Sequence, residues 1–166
     1  MPLSEDSPWI YRTLRVDGRP MVEWALVGFM GDPECAIGVL RNGTWVVDTA
    51  DGLVTLDDEP SLVFVFPLLN TPLNTLRDQI QSSLEQKHLD FTGEQRFPFA
   101  RIVMHAIEAG GYWAEKSFDW LDSASLAEIE HARVIEGLKR MEDNRGFEQK
   151  LRHAARKHRT QLERRS

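Results

Sequence analysis

The chain has 166 residues, 42% hydrophobic and 28% charged, with a formal net charge of −6. That balance can bury a core and argues against wholesale disorder, and no apolar run approaches the ~20 residues of a membrane-spanning helix. Cys35 is the only cysteine, which excludes an internal disulfide and a cysteine-based metal cage. The opening MPLSEDSPW is acidic and lacks the basic-then-apolar order of a secretion signal, so a cytoplasmic location and no membrane association are expected. A loose tail is expected over residues 1–8.

From Trp9 to Val16 the run WIYRTLRV is rich in strand formers and ends at the turn pair Asp17-Gly18. Met21–Met30 is apolar on both parities, as in a strand buried on both faces, although Pro20 could also open a helix there. Ala36–Leu40 and Thr44–Thr49 flank Asn42-Gly43, the pair best suited to a tight hairpin. Asp51-Gly52 repeats the signal before LVTL. Ser61–Phe66, β-branched and aromatic, reads as a further strand stopped by Pro67. Short turns between strands imply an antiparallel meander of four to five strands, a sheet lobe over residues 9–70.

Past Asn70 the period changes. Thr71 is placed as an N-cap, and Leu73, Leu76, Ile80 and Leu84 share a helix face. Asp90 to Arg96 reads as a polar loop. Phe99, Ile102, Val103 and Ala106 line a second helix closed by Gly110. Ala114, Phe118 and Leu121, widened by Trp113 and Trp120, line a third, wide enough to pack on two neighbours. Ser125 with Glu128 has capping-box spacing before Leu126, Ile129, Val134, Ile135, Leu138 and Met141. A last helix would bury Phe147, Leu151, Ala154, His158 and Leu162. The expected fold is therefore α+β: an N-terminal antiparallel sheet, then about five helices over residues 71–166, sharing one core. The paired amphipathic helices resemble HEAT-like helical pairs, although no sequence repeat accompanies them.

Charge is unevenly spread. Residues 1–132 carry 9 Lys and Arg against 21 Asp and Glu, whereas residues 133–166 carry 11 against 5. Asp48, Asp51, Asp57, Asp58 and Glu59 straddle two turns, and could converge on one sheet edge as a docking surface for a basic protein. Turns also favour Asp for local reasons, and charges protect sheet edges. Arg145, Arg152, Arg156 and Arg159 fall opposite the buried face of the last helix and could track a phosphate backbone. No aromatic interleaves them, no helix-turn-helix precedes them, and the acidic remainder repels a polyanion, so nucleic acid is the second expectation.

Motifs for chemistry are sparse. Glu128 and His131 have the E-x-x-H spacing of a metal-carrying helix, but such a site needs a second copy and further glutamates. Solvated helix positions are the plainer reading, and neither metal nor cofactor is expected. Cys35 would be reactive only if exposed. No nucleophile elbow and no glycine-rich phosphate loop occurs. In size, charge and absence of catalytic motifs the chain resembles small acidic bacterial immunity and antitoxin-type proteins. That resemblance implies a cytoplasmic, non-catalytic binding protein with a basic protein partner. The contrasting class is an enzyme or metal protein whose site is assembled from scattered residues, among them His105, Glu128, His131 and the acidic turns.

Overall fold

The computed structural model of the protein describes residues 7–90, 96–122 and 128–165. Strands come first and helices after, giving the expected α+β order. The chain divides into two compact units, Met1–Phe97 and Pro98–Ser166. The switch from strand to helix after residue 70 thus lies inside the first unit. The expected N-cap at Ser125 and the buried position of Leu126 fall outside the described residues, as does most of the expected 1–8 tail.

Five strands make the first unit's sheet: β1 (Trp9–Thr13), β2 (Met21–Met30), β3 (Cys35–Leu40), β4 (Trp45–Thr49) and β5 (Gly52–Thr55). They pair antiparallel in sequence order, the meander expected of their short turns. The residue after Asn42, Gly43, takes the positive φ of 88° that the tight turn requires. The sheet curls until its two ends meet. Leu14 bridges Leu53, and the Arg15 N–H donates to the Leu53 carbonyl at 2.8 Å. Arg12 reaches across the curl, its Nε 3.0 Å from Asp48 Oδ1 and its Nη2 2.9 Å from the Thr49 carbonyl.

The enclosed face carries Trp24, Val46 and Leu53, with Leu14, Val22, Leu26 and Leu40 packed around them. Register explains the grouping: Trp24 opposes Leu40, Leu26 opposes Gly38 and Gly38 opposes Val46. Trp24 lies across Gly38, the one residue small enough to leave room for the indole. A bulge at Val27 interrupts the β2–β3 ladder. Lys87, just past α1 (Leu73–Gln86), donates to the Leu26 and Val27 carbonyls at that bulge. Burial pushes the Lys87 ammonium below its ordinary range.

The strand expected over Ser61–Phe66 is instead part of an 11-residue 3-10 helix, Pro60–Asn70. Asp58 Oδ1 accepts the Ser61 N–H at 2.9 Å, opening a turn, and Pro67 has no N–H to give a ladder. Leu62, Val65 and Leu68 then recur every third residue and are buried, as are Phe66 and Leu69. α1 begins at Leu73, with Pro72 rather than the expected Thr71 at its N-cap position. The expected face of Leu73, Leu76, Ile80 and Leu84 is buried.

The second unit contains α2 (Phe99–Ala109), α3 (Gly111–Leu121), α4 (His131–Asp143) and α5 (Gln149–Arg165). α2 packs on α3 and α4, and α5 packs on α4 and α3. α3 therefore has the two neighbours its wide apolar stripe implies. Gly110, at φ 72°, separates α2 from α3, and a methyl there would stand 2.9 Å from the Phe147 ring. Gly137 of α4 faces Ile107 of α2 with similar closeness, and Trp120 is fully buried beside Phe99. Phe147 lies before α5 rather than on it, and Ala155, not Ala154, is the buried alanine of that helix.

Two substitutions test this packing. Gly38→Ala would place a methyl 2.5 Å from the Ala25 carbonyl and into Trp24, an overpacking expected to cost ~1–3 kcal/mol. Trp120→Ala should cost ~3–5 kcal/mol by cavity formation. Urea denaturation followed by circular dichroism measures both, and wild-type stability in either variant would contradict the assigned packing.

Candidate functional site: the acidic, aromatic end of the sheet

The five carboxylates expected to form one acidic edge are separated by the fold. Asp48 and Asp51 lie at the Thr49–Gly52 end of the β4–β5 pair, while Asp57, Asp58 and Glu59 follow Thr55 at the opposite end. At ~3.4 Å per residue the strands hold the two groups about 10 Å or more apart. Their roles differ as well. Asp48 accepts from Arg12, and Asp51 lies 4.0 Å from Arg15 Nη2. Asp57 accepts the Thr55 hydroxyl at 2.6 Å, and Asp58 accepts the Ser61 N–H. Convergence on one edge is thus corrected to two local clusters, one ion-paired and one turn-forming.

The Asp48–Asp51 end carries what the sequence reading missed. Ala36 pairs with both Phe29 and Asp48, which sets those two residues in one row across three strands. The β2–β3 turn beside them holds Asp32 and Glu34, both exposed and with no ion pair among the described residues. From the 3-10 helix, the Phe64 carbonyl lies 3.6 Å from Cys35 Sγ, and the Phe64 ring sits 5.5 Å from the Arg15 guanidinium carbon. Phe29 is 62% exposed, Val63 49% and Phe64 40%. Three large apolar side chains are thus held in water at an end bearing Asp32, Glu34, Asp48 and Asp51. Exposed apolar side chains with a polar surround are a composition that recurs at protein-contact surfaces.

The signal for this site was present as a threefold repeat. Read with period 2, SLVFVF alternates buried and exposed positions; read with period 3, Val63 and Phe64 fall together on the outer side.

Cys35 is not a reactive thiol. It is buried against the Phe64 and Pro33 carbonyls, and burial pushes it up to about 11, far from thiolate at neutral pH.

In the second unit the expected basic face is partly committed, through Arg156 and Arg159. Arg145 lies in the turn between α4 and α5, not on the helix. Arg159 donates to Glu142 at 2.7 Å and to Glu163 at 3.0 Å, with only 18% of its side chain exposed. Arg156 lies 3.6 Å from the same Glu142, and the Nε of Arg152 is buried. Arg159 holds the Glu142 carboxyl below the usual carboxylate range, and Glu142 in turn raises Arg159. A fork from Arg133 to Glu108 ties α4 to α2. Guanidiniums already matched by carboxylates are poorly available to phosphate.

The E-x-x-H pair does not share a helix face. Glu128 precedes α4, and His131 is its first residue. No helix among the described residues is long and apolar enough to cross a membrane. The chain matches no protein-family model, no curated protein and no solved structure.

The Glu142 network makes a signed prediction. A carboxyl with a lowered folded value contributes stability that is present above the ordinary carboxylate range and lost as pH falls through its folded value. Melting temperature should therefore drop on acidification below about pH 4, and Glu142→Gln should melt lower than the parent at neutral pH with a shallower acid dependence. An equally steep acid dependence in Glu142→Gln would remove this network as a cause.

Proposed function

We propose that the protein is a non-catalytic binding protein that engages a basic protein partner through the acidic, aromatic end of its sheet. The observation that carries this reading is the exposure of Phe29, Val63 and Phe64 beside Asp32 and Glu34. The whole first unit supports it, with seven Lys and Arg against fifteen Asp and Glu, a net charge of −8. The apolar side chains supply contact area, and the carboxylates steer and select a positively charged partner. No cofactor enters such a mechanism. A role of immunity or antitoxin type in the cytoplasm, in which a small acidic protein occupies a basic one, is the form this reading takes. Binding to nucleic acid is the weaker reading, because Arg156 and Arg159 of α5 are ion-paired and the first unit is net negative.

The test uses a basic partner recovered by cross-linking from the native host, with a generic DNA duplex as control. Val63→Ser with Phe64→Ser should weaken the complex ~10-fold or more at every salt concentration, as loss of an apolar anchor does. Asp32→Asn with Glu34→Gln should slow association at low salt, and the difference should shrink as the screening length falls toward ~10 Å at 0.1 M. Asp57→Asn with Asp58→Asn, at the far end of the hairpin, should do less. Normal partner binding by the first two variants, or loss of binding in Arg152→Ala with Arg156→Ala, would contradict the proposal.

A further inference from the structure

His158 sits at the centre of the buried face of α5, with Ala155 one turn before it and Leu162 one turn after. Its side chain is 11% exposed, and its ring stacks on Phe118 of α3 with centroids 4.6 Å apart and planes 29° from parallel. Its Nδ1 lies 3.4 Å from Asp122 Oδ1, at the end of that same helix. Phe118 and Asp122 are four residues apart and therefore share one face of α3, so a single imidazole meets both an apolar plate and a carboxylate. A leucine would fill the same seam more simply. A histidine adds one property, a charge that changes between pH 5 and 8.

We propose that the contact of His158 with Phe118 and Asp122 is an acid-sensitive latch, holding α5 on α3 at neutral pH and loosening when the imidazole takes up a second proton. In the neutral ring, Nδ1 faces Asp122 Oδ1 at 3.4 Å and the ring face lies on Phe118 without a charge to desolvate. Protonation places a cation between two packed helices. The charged groups that reach it are Asp122 and Asp119 from α3, which favour the cation, and Lys157 from α5, which opposes it. Burial outweighs the two carboxylates, and holds His158 below the ordinary imidazole range. The sign follows. A histidine with a lowered folded value stabilises the fold above its unfolded value, and that contribution is lost as pH falls toward the folded value. α4 also packs on α5, so loosening concerns the α3 side of α5 rather than the whole helix.

Two readouts on the full chain test this inference. The first is a proton–carbon NMR titration of the five histidines from about pH 7.5 to about pH 5. His158 should titrate below the ordinary imidazole value, and Asp122→Asn should shift its midpoint further down by removing the favourable carboxylate. The second is amide exchange over the same range, where α3 and the α3-facing side of α5 should lose protection as pH falls after correction for intrinsic exchange. His158→Gln, neutral at every pH, should make that protection independent of pH. A His158 midpoint at or above the ordinary value, an unmoved midpoint in Asp122→Asn, or unchanged α5 protection through the titration would each overturn the latch. Should His158→Gln fail to fold, the titration and exchange of the parent and of Asp122→Asn decide the matter.

Discussion

The close approach of Gly31 to Pro67 sets the geometry of the first unit. Gly31 adopts a φ of 87°, and any side chain there would begin 2.9 Å from the Pro67 carbonyl. The next N–H, that of Asp32, donates to the Pro67 carbonyl at 3.1 Å, and the Asn70 amide donates back to the Asp32 carbonyl. Pro67 has no N–H of its own, so its carbonyl is the group that ties the 3-10 helix to the β2–β3 turn. Once that turn is anchored, the threefold period of the helix decides the rest. Leu62, Val65 and Phe66 go inward, Cys35 is covered, and Val63 and Phe64 are left facing water beside an acidic turn.

Charge is used for two purposes. In the curled sheet, Arg12 with Asp48 joins strands that are not neighbours in the pairing order, and in the helical unit Glu142 gathers two arginines from α5. Pairs near the surface contribute only ~0–1 kcal/mol each, so their effect is to fix register and orientation more than to stabilise. The same pairing explains why a count of charges along the sequence misleads. Arg156 and Arg159, which read as part of a free face, are matched by Glu142 one helix away, whereas Asp32 and Glu34, unremarkable in the sequence, have no such match among the described residues. The first unit keeps a surplus of negative charge at the end where apolar side chains are also exposed.

Much of the fold was legible because local signals and burial agree. Asn42-Gly43 marks the central hairpin, and the fourfold spacing of Leu76, Ile80 and Leu84 marks α1. The ambiguous Met21–Met30 is a strand covered on both faces along its middle, by the curl and by packing that includes α1, while Met21 and Phe29 near its ends are exposed. Sequence reasoning failed where two periods fit the same residues. Ser61–Phe66 has strand composition, and only the flanking Asp58, Pro60 and Pro67 tilt it to a 3-10 helix. The site was missed for that reason: Val63 and Phe64 were assigned to a strand. Convergence of the acidic turns failed differently, since proximity in sequence says nothing about which end of a hairpin a turn occupies.

The central claim is that the end of the sheet bearing Phe29, Asp32, Glu34, Val63 and Phe64 is where a basic partner docks. Hydrogen exchange by mass spectrometry, run on the full chain with and without the cross-linked partner, addresses it directly. The account predicts new protection over residues 29–36 and 61–66, with little change over residues 145–165. Protection confined to α5 and the turn before it, with the sheet end unchanged, would contradict it.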